Sequence, residues 1–243
     1  MKIFILLLST ILISSHDHST QDSRTNVEGA WQTSVADESG ASMTKTLLIK
    51  DGYFSLTKYS ILQQKFDNTR GGKLEITDDG LIFIIEYDTS DPSKVGMTEN
   101  HRFKISENNL TLSLDQSEWK KVRQMDTPEL SGAFLITGRK RNGELSRRTP
   151  GPRKTMKILA GPYFQWIAYN TDTGEFFGTG GGTYSAKEGT YSEQIEFFSR
   201  DGSRVGAILN FEFTIENEEW HHSGLSSKGS PIYEIWTPRA NIE

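Results

Sequence analysis

The chain has 243 residues, with 32 acidic residues against 27 basic ones and a formal net charge of −5. This length is sufficient for one large domain or two domains of modest size, and the negative charge argues against a nucleic-acid partner. Because the sequence contains no cysteine, disulfides, zinc–thiolate sites, iron–sulfur ligation and cysteine nucleophiles are excluded.

The first 15 residues have the pattern of a secretory signal peptide. Lys2 precedes the apolar run Ile3–Ile13, and Ser14 and Ser15 are small residues suited to cleavage. An apolar helix of this length spans about 16 Å, roughly half of the hydrocarbon core of a bilayer, so we predict no integral membrane segment in the mature chain. Residues 16–26 are polar and are predicted to form a flexible leader. These features predict a secreted or periplasmic protein.

An internal repeat relates the two halves of the remaining chain. When the sequence is shifted by 110 positions, apolar, aromatic and glycine positions coincide over almost sixty residues. The copies begin 103 residues apart, so the second copy carries about seven additional residues near its start. We predict two domains, at residues 27–125 and 130–239, that arose by tandem duplication. The coinciding pairs include Tyr53-Phe54 with Tyr163-Phe164, Gly71-Gly72 with Gly181-Gly182, and Phe103 with Phe213.

Apolar residues alternate with polar ones within each copy, which is typical of strands with one buried face. The clearest strand is predicted from Val205 to Ile215, where every second residue is apolar. Turn-forming sequences such as Lys50-Asp51-Gly52 separate the runs. We predict an all-β fold of about eight short strands per copy, arranged as a closed barrel or a sandwich. The strands predicted in the first copy are Gly29–Val35, Thr44–Lys50, Tyr53–Tyr59, Gly72–Thr77, Leu81–Tyr87, His101–Ile105, Leu110–Leu114 and Trp119–Arg123.

Each copy begins with a short motif. Gly29-Ala30-Trp31 is similar to the Gly-x-Trp motif at the first strand of lipocalins, and Gly132-Ala133-Phe134 repeats it with phenylalanine in place of tryptophan. The chain therefore resembles the calycin superfamily, specifically the lipocalin-like domains of exported bacterial proteins. The resemblance implies two tandem lipocalin-like antiparallel β-barrels. It also implies that an arginine near the end of each copy closes the barrel base, Arg123 across Trp31 and Arg239 across Phe134. Lipocalins usually have a longer barrel and a terminal helix, and the sequence shows neither.

A basic segment, Arg139–Lys154, contains seven Lys and Arg residues and a single acid, Glu144. It is predicted to be irregular and lies between the first two strands of the second copy, where the resemblance implies a lid loop over the open end of the barrel. Such a lid would attract an anionic head group, because guanidinium groups suit phosphate and carboxylate geometry. A solvated flexible loop is the alternative.

Aromatic residues are concentrated in the second copy. Alternation places Phe164 and Trp166 on one face of their strand and Tyr163 and Ile167 on the other, so that both faces are partly apolar. We interpret the Tyr163 face as the contact between the two barrels, with a ligand-lined interior as the alternative.

The sequence predicts no metal, cofactor or catalytic residue. Adjacent strand residues point to opposite faces, so His221 and His222 cannot chelate one metal together, and one of them is expected to point into the barrel. No Gly-x-Ser-x-Gly motif supports a serine hydrolase. Gly181-Gly182 lacks the context of a phosphate-binding loop and is interpreted as a β-bulge or sharp bend. A barrel isomerase or lyase would require a titratable pair inside the barrel, and the sequence identifies none.

These features favour an exported, non-catalytic protein that holds a small hydrophobic or amphipathic ligand, including anionic ones, mainly in the second barrel. The alternative is a ligand-free envelope protein whose loops contact a protein or a glycan. An internal cavity above roughly 300 Å³ would favour the first hypothesis, and a filled interior the second. The predicted ligand contacts are Trp166, Phe211, Phe213, Trp220 and His222 in the lining, with Arg147 and Arg148 at the rim.

Overall fold

The computed structural model describes residues 27–78, 80–115, 117–226 and 229–242. The predicted signal peptide and leader lie outside the described residues. The described chain is all-β, as predicted, with three single turns of 3-10 helix at Pro92–Lys94, Gly202–Arg204 and Arg239–Asn241. None of its helical segments has the length and hydropathy needed to cross a bilayer.

The strands of the first copy are β1 Gly29–Ala36, β2 Ser42–Lys50, β3 Tyr53–Ser60, β4 Lys65–Thr77, β5 Gly80–Asp88, β6 Thr98–His101, β7 Phe103–Ser106, β8 Asn109–Leu112 and β9 Glu118–Val122. Those of the second copy are β10 Gly132–Arg141, β11 Glu144–Arg147, β12 Arg153–Ala160, β13 Tyr163–Asn170, β14 Phe176–Lys187, β15 Thr190–Phe198, β16 Ile208–Glu216, β17 Glu219–Leu225 and β18 Pro231–Pro238.

The strands form two antiparallel, barrel-like sheets, one for each copy. In the first sheet β1 pairs with both β2 and β9, and the two terminal strands of the sheet, β6 and β7, are separated in the chain only by Arg102. In the second sheet β10 pairs with both β12 and β18, which closes the barrel, and β11 is an additional strand on β10. Each copy is thus an eight-strand meander closed on itself, and the predicted fold class is confirmed.

The basic segment Arg139–Lys154 is not the irregular lid loop expected from the sequence. Strand β10 continues to Arg141, and a turn at Asn142-Gly143 returns the chain as β11, which pairs with β10 along its length. Both turn residues have positive φ, 50° and 85°, as a type I′ hairpin turn requires. The Asn-Gly pair was the sequence signal for this hairpin, and the hairpin accounts for the additional residues of the second copy.

The predicted strand Val205–Ile215 begins three residues later than expected. Asp201 accepts a hydrogen bond from the backbone N–H of Ser203 and thereby starts a turn of 3-10 helix, so that β16 begins only at Ile208. The alternation holds within the strand, where Phe211 and Phe213 are buried.

The core consists of three apolar clusters. One cluster fills the interior of each barrel, and the third lies between the barrels, with Leu48 and Tyr87 from the first copy and Met156 and Ile158 from the second. Tyr163, Ile167 and Tyr169 belong to this third cluster, which confirms the predicted contact face of β13.

Polar side chains complete the contact between the barrels. The side-chain carbonyl oxygen of Gln165 accepts hydrogen bonds from Ser55 and, at 2.8 Å, from Thr57. Its amide nitrogen donates to Thr69 at 3.1 Å and to Thr179 at 2.9 Å. Since Ser55 and Gln165 are themselves equivalent positions of the repeat, the same sheet face of each copy forms the contact.

Candidate functional site

The second barrel contains a cavity of about 360 Å³ that opens to solvent. Part of its wall is aromatic, and Trp166 packs edge-on against Phe198 with ring centroids 5.5 Å apart. Its volume exceeds the roughly 300 Å³ at the lower end of ordinary ligand pockets. The aromatic residues that line it are Trp166, Phe177, Phe198, Phe211 and Trp236.

A buried ion pair contributes to the lining of this cavity. Lys157 Nζ donates a hydrogen bond to Glu193 Oε1 at 2.9 Å, and both side chains are almost fully buried. The ammonium group also lies 4.9 Å from the ring centroid of Trp220 and 5.0 Å from that of Trp236. Burying two charges costs several kcal/mol each, which only good mutual geometry offsets. The pair is therefore an unusual component of a barrel interior.

His222 lies beside this ion pair and also lines the cavity. Its side chain is 2 % exposed, and its Nδ1 is 3.6 Å from Glu234 Oε2. Neither ring nitrogen makes a hydrogen bond with a described residue. Burial lowers the pKa of His222, and the nearby charge of Lys157 lowers it further, so the imidazole is neutral at pH 7. A neutral imidazole offers one donor and one acceptor, and of the two ring nitrogens Nδ1 is the one near Glu234.

The adjacent His221 takes the other face of β17, where its Nδ1 lies 2.7 Å from the hydroxyl of Tyr233. The predicted opposite orientation of the two histidines is confirmed. Among the described residues, no group of three or more His, Asp and Glu side chains is arranged to hold a metal ion.

Arginines surround the mouth of the cavity. Arg139 forms an ion pair with Glu234 at 3.1 Å. Arg153 lies 4.5 Å from the ring centroid of Phe177, and Arg200 donates a hydrogen bond to the Phe177 carbonyl oxygen. With Lys157, the cavity lining contains four cationic residues against two glutamates. The site is therefore locally positive in a chain that is negative overall.

The structure brings together only part of the predicted ligand site. Trp166, Phe211 and His222 line the cavity, whereas Phe213 and Trp220 are buried in the core of the same barrel and are not part of the lining. Sequence reasoning missed Lys157, Glu193 and Glu234, because charged residues of a strand are ordinarily exposed to solvent. The sequence does contain one indication that Lys157 points inward. It lies two residues before Leu159 in β12, and residues two apart in a strand share a face.

The two predicted rim arginines also lie outside this cavity. Arg147 forms an ion pair with Glu219 on the exterior. Arg148 lines a second cavity of about 200 Å³, which Arg139 also lines. The basic segment thus reaches the mouth through Arg139 and Arg153 rather than through Arg147.

The expected closure of the barrel bases requires correction. Trp31 and Phe134 are buried inside their barrels, but the cation over Trp31 is Lys121, whose Nζ is 5.0 Å from the ring centroid, while Arg123 is exposed beyond the end of β9. Arg239 does not lie across Phe134. It follows β18 on the side facing the first barrel, where both terminal nitrogens bind the Glu86 carboxylate, at 2.9 and 2.8 Å.

The first barrel is apolar where the second has its polar residues. Leu47 of the first barrel occupies the position of Lys157 in the second. The sheet register shows this, because Leu47 pairs with Leu56 and Lys157 pairs with the equivalent residue, Trp166. Phe83 corresponds in the same way to Glu193, and Leu112 to His222, and all three residues of the first barrel are fully buried. A cleft of about 510 Å³ at one end of the first barrel has an acidic rim, formed by Glu28, Asp51 and Glu75.

No protein-family model matches this chain, and no curated protein matches it. The assignment of a function therefore depends on the geometry of the second barrel.

Proposed function

We propose that this protein is an exported, non-catalytic binding protein whose second, lipocalin-like barrel holds a small amphipathic ligand. The observation that carries the proposal is the 360 Å³ cavity, which combines an aromatic wall, buried polar groups and an arginine-rich mouth. Pockets of this kind, apolar with a few placed polar groups, are typical of small-molecule sites. The Gly-x-Trp motif at Trp31, at the start of a closed barrel, supports the lipocalin-like classification.

The distribution of side chains favours an amphipathic ligand over a wholly apolar one. Trp166, Phe198 and Phe211 would contact an apolar body, and the edge-on pair of Trp166 and Phe198 suits a flat or narrow group. His222 has unpaired polar atoms on the inner surface, which a polar group of the ligand would satisfy.

The comparison between barrels argues for ligand binding and against the scaffold alternative. Leu47, Phe83 and Leu112 show that this fold packs well with apolar residues at the three positions. Replacing a buried ion pair by apolar residues of similar volume is often neutral or stabilising. Retention of Lys157 and Glu193 is therefore explained by a role in binding rather than by stability.

Neither member of this ion pair is free to act as the acid or base of a catalyst. An isomerase or lyase would need a base or an acid that is free to exchange a proton with the ligand. Lys157 and Glu193 are bound to each other at 2.9 Å, so each is already engaged by its partner.

The proposed export depends on the pattern of residues 1–15. Fractionation of the source cells, followed by mass determination, should find the chain outside the cytoplasm and shortened by about this segment. A full-length cytoplasmic protein would contradict this part of the proposal.

Ligand binding is tested with a cavity-filling variant and a matched control. Native mass spectrometry of protein purified from its own compartment should detect a co-purifying mass, and anilinonaphthalene sulfonate should serve as a fluorescent amphipathic probe. We expect Ala168→Phe, which fills the cavity lining, to weaken probe binding at least tenfold. Ala240→Phe, at an exposed position, should leave binding unchanged. Equal binding by wild type and Ala168→Phe would contradict a ligand site in this cavity.

A further inference from the structure

We propose that four arginines at the mouth of the second barrel bind a phosphate monoester, so that the ligand of this barrel is an amphipathic phosphate. The inference rests on the proposed function, because the apolar part of the ligand would occupy the same 360 Å³ cavity. The four residues, called here the mouth arginines, are Arg139, Arg148, Arg153 and Arg200.

The mouth arginines line two cavities that have Arg139 in common. Arg139, Arg153 and Arg200 line the 360 Å³ cavity, and Arg139 together with Arg148 lines the adjoining 200 Å³ cavity. Arg153 and Arg200 are both held by Phe177, the first over its ring and the second at its carbonyl oxygen. The guanidinium groups are thus positioned by local contacts around the entrance.

Three of the four mouth arginines form no ion pair with a carboxylate of the described residues. Glu234 pairs with Arg139 at 3.1 Å, yet the Nε of Arg139 is buried and has no hydrogen-bond partner among the described residues. Arg148 donates to the carbonyl oxygen of Ile136 at 3.2 Å. No carboxylate of the described residues lies within ion-pair distance of Arg148, Arg153 or Arg200.

Arg148 is repelled by two of the other mouth arginines, Arg139 and Arg153. Loss of solvation and the charges of Arg139 and Arg153 lower the pKa of Arg148. An anion placed among these groups would relieve the repulsion and would satisfy their remaining N–H donors.

Three uncompensated guanidinium groups favour a phosphate monoester over a carboxylate. A phosphate monoester carries a charge of about −1.5 to −2 at pH 7 and has three strong acceptor oxygens, whereas a carboxylate carries one charge. The planar guanidinium fork matches phosphate geometry. With the phosphate at the mouth, the apolar part of the ligand would extend towards Trp166 and Phe211.

The first copy provides an internal comparison. At the positions equivalent to Arg153 and Arg200 it has Met43 and Ser90, and it has no counterpart of the β10–β11 hairpin that precedes Arg148. The arginine-rich mouth therefore occurs in the barrel that also has the polar cavity.

Titration calorimetry with four probes tests the inference on the wild-type chain. The probes are octyl phosphate, octanoate, 1-octanol and inorganic phosphate. We expect octyl phosphate to bind at least tenfold more tightly than each of the other three, because it alone engages both the cavity and the mouth arginines. Octyl phosphate binding no tighter than 1-octanol would overturn the inference, while binding of 1-octanol itself would leave the proposed cavity function intact.

Variants assign the effect to the mouth. Arg148→Gln and Arg153→Gln should each weaken octyl phosphate binding at least tenfold and leave 1-octanol binding unchanged. Arg102→Gln, which removes an exposed arginine of the first barrel, is the matched control and should change neither affinity. Two arginine variants are made so that the test can still be read if one of them misfolds. Circular dichroism verifies the fold of each variant. Unchanged octyl phosphate affinity in both folded variants would overturn the inference.

A different result would contradict both proposals. Inorganic phosphate that binds as tightly as octyl phosphate, with loss of binding in Arg148→Gln and no effect of Ala168→Phe, would indicate a site for free phosphate. That outcome would overturn the amphipathic ligand and the cavity function together.

Discussion

Tyr59 of the first barrel donates a hydrogen bond to Glu196 of the second barrel at 2.7 Å. At the equivalent positions of the repeat, Tyr169 of the second barrel donates a hydrogen bond to Glu86 of the first barrel at 2.5 Å. The counterparts of Tyr59 and Glu196 thus contact each other with the two barrels exchanged, which is the relationship found in an isologous dimer interface. The two barrels therefore pack as a covalently joined pseudo-dimer.

Both glutamates owe their position to a β-bulge. In the first sheet Gly71 pairs with Tyr87 and Gly72 with Ile85, so that Glu86 is the extra residue. The shift between Gly181 and Gly182 leaves Glu196 unpaired in the same way. Since a bulge redirects a side chain, the paired glycines explain why an acid of each barrel reaches the other barrel.

The two glutamates differ in their electrostatic surroundings. Burial raises the pKa of Glu86, but hydrogen bonds and charge from Arg239, with a hydrogen bond from Tyr169, outweigh burial and leave the pKa below its ordinary value. Glu196 has a hydrogen bond from Tyr59 and forms no ion pair with a described residue, so burial prevails and its pKa is raised. The two carboxyls therefore change stability with pH in opposite directions.

We predict that the Glu86–Arg239 ion pair stabilises the protein at neutral pH and is lost in acid. Because the folded-state pKa of Glu86 lies below the unfolded value, its contribution is complete above about pH 4.5 and disappears as the pH falls through the folded-state pKa. Glu86→Gln should lower the free energy of unfolding at pH 7 by roughly 3–5 kcal/mol, because the fully buried Arg239 loses its ion pair with Glu86.

Urea unfolding between pH 7 and pH 3 measures this effect. The free energy of unfolding of wild type should fall more steeply in acid than that of Glu86→Gln. Glu212→Gln, at an exposed position, is the control and should follow wild type. Parallel profiles for wild type and Glu86→Gln would refute the prediction.

We predict the opposite behaviour for Glu196. Its folded-state pKa lies above the unfolded value, so its contribution to stability decreases as the pH rises from about 4.5 through the folded-state pKa. Glu196→Gln retains an acceptor for Tyr59 without the buried charge and should raise the free energy of unfolding at pH 7 by about 1 kcal/mol. The same urea series measures it, and a loss of stability at pH 7 would count against this account of Glu196.

The features that the sequence predicted are those set by local periodicity. Alternation along β13 distinguished Trp166, which lines the cavity, from Tyr163 and Ile167, which contact the other barrel. The constant offset of 110 predicted the equivalence of the two copies, and the bulge expected at Gly181-Gly182 is confirmed.

The features that escaped prediction depend on partners distant in sequence. Arg239 binds Glu86, 153 residues away in the other barrel, so no pattern near Arg239 indicates this partner. Lys157 and Glu193 are 36 residues apart, and each alone has the appearance of a surface residue. Among the mouth arginines, Arg139, Arg148 and Arg153 lie in the basic segment that the sequence indicated, and only the fold brings Arg200 to the same cavity as Arg139 and Arg153.

We predict that the polar interior of the second barrel reduces its stability and serves binding. Lys157→Leu and Glu193→Phe introduce the residues of the first barrel, and each single change should lower the free energy of unfolding by roughly 3–5 kcal/mol, because one buried charge loses its partner. The double variant should recover at least wild-type stability while losing most of its affinity for anilinonaphthalene sulfonate. A double-mutant cycle by urea unfolding measures the coupling, and additive losses in the double variant would contradict the prediction.

We predict that the bulge in the second barrel requires glycine. A Cβ on Gly182 would lie 2.0 Å from the carbonyl oxygen of Gln194, at a φ of +156° that side chains rarely adopt. Gly182→Ala should therefore lower the free energy of unfolding by roughly 2–4 kcal/mol. Gly151→Ala, where no atom lies within 4 Å of the added Cβ, should change stability by no more than about 0.5 kcal/mol. Urea unfolding compares the two variants, and equal effects would show that the bulge tolerates a side chain and that the position of Glu196 does not depend on this glycine.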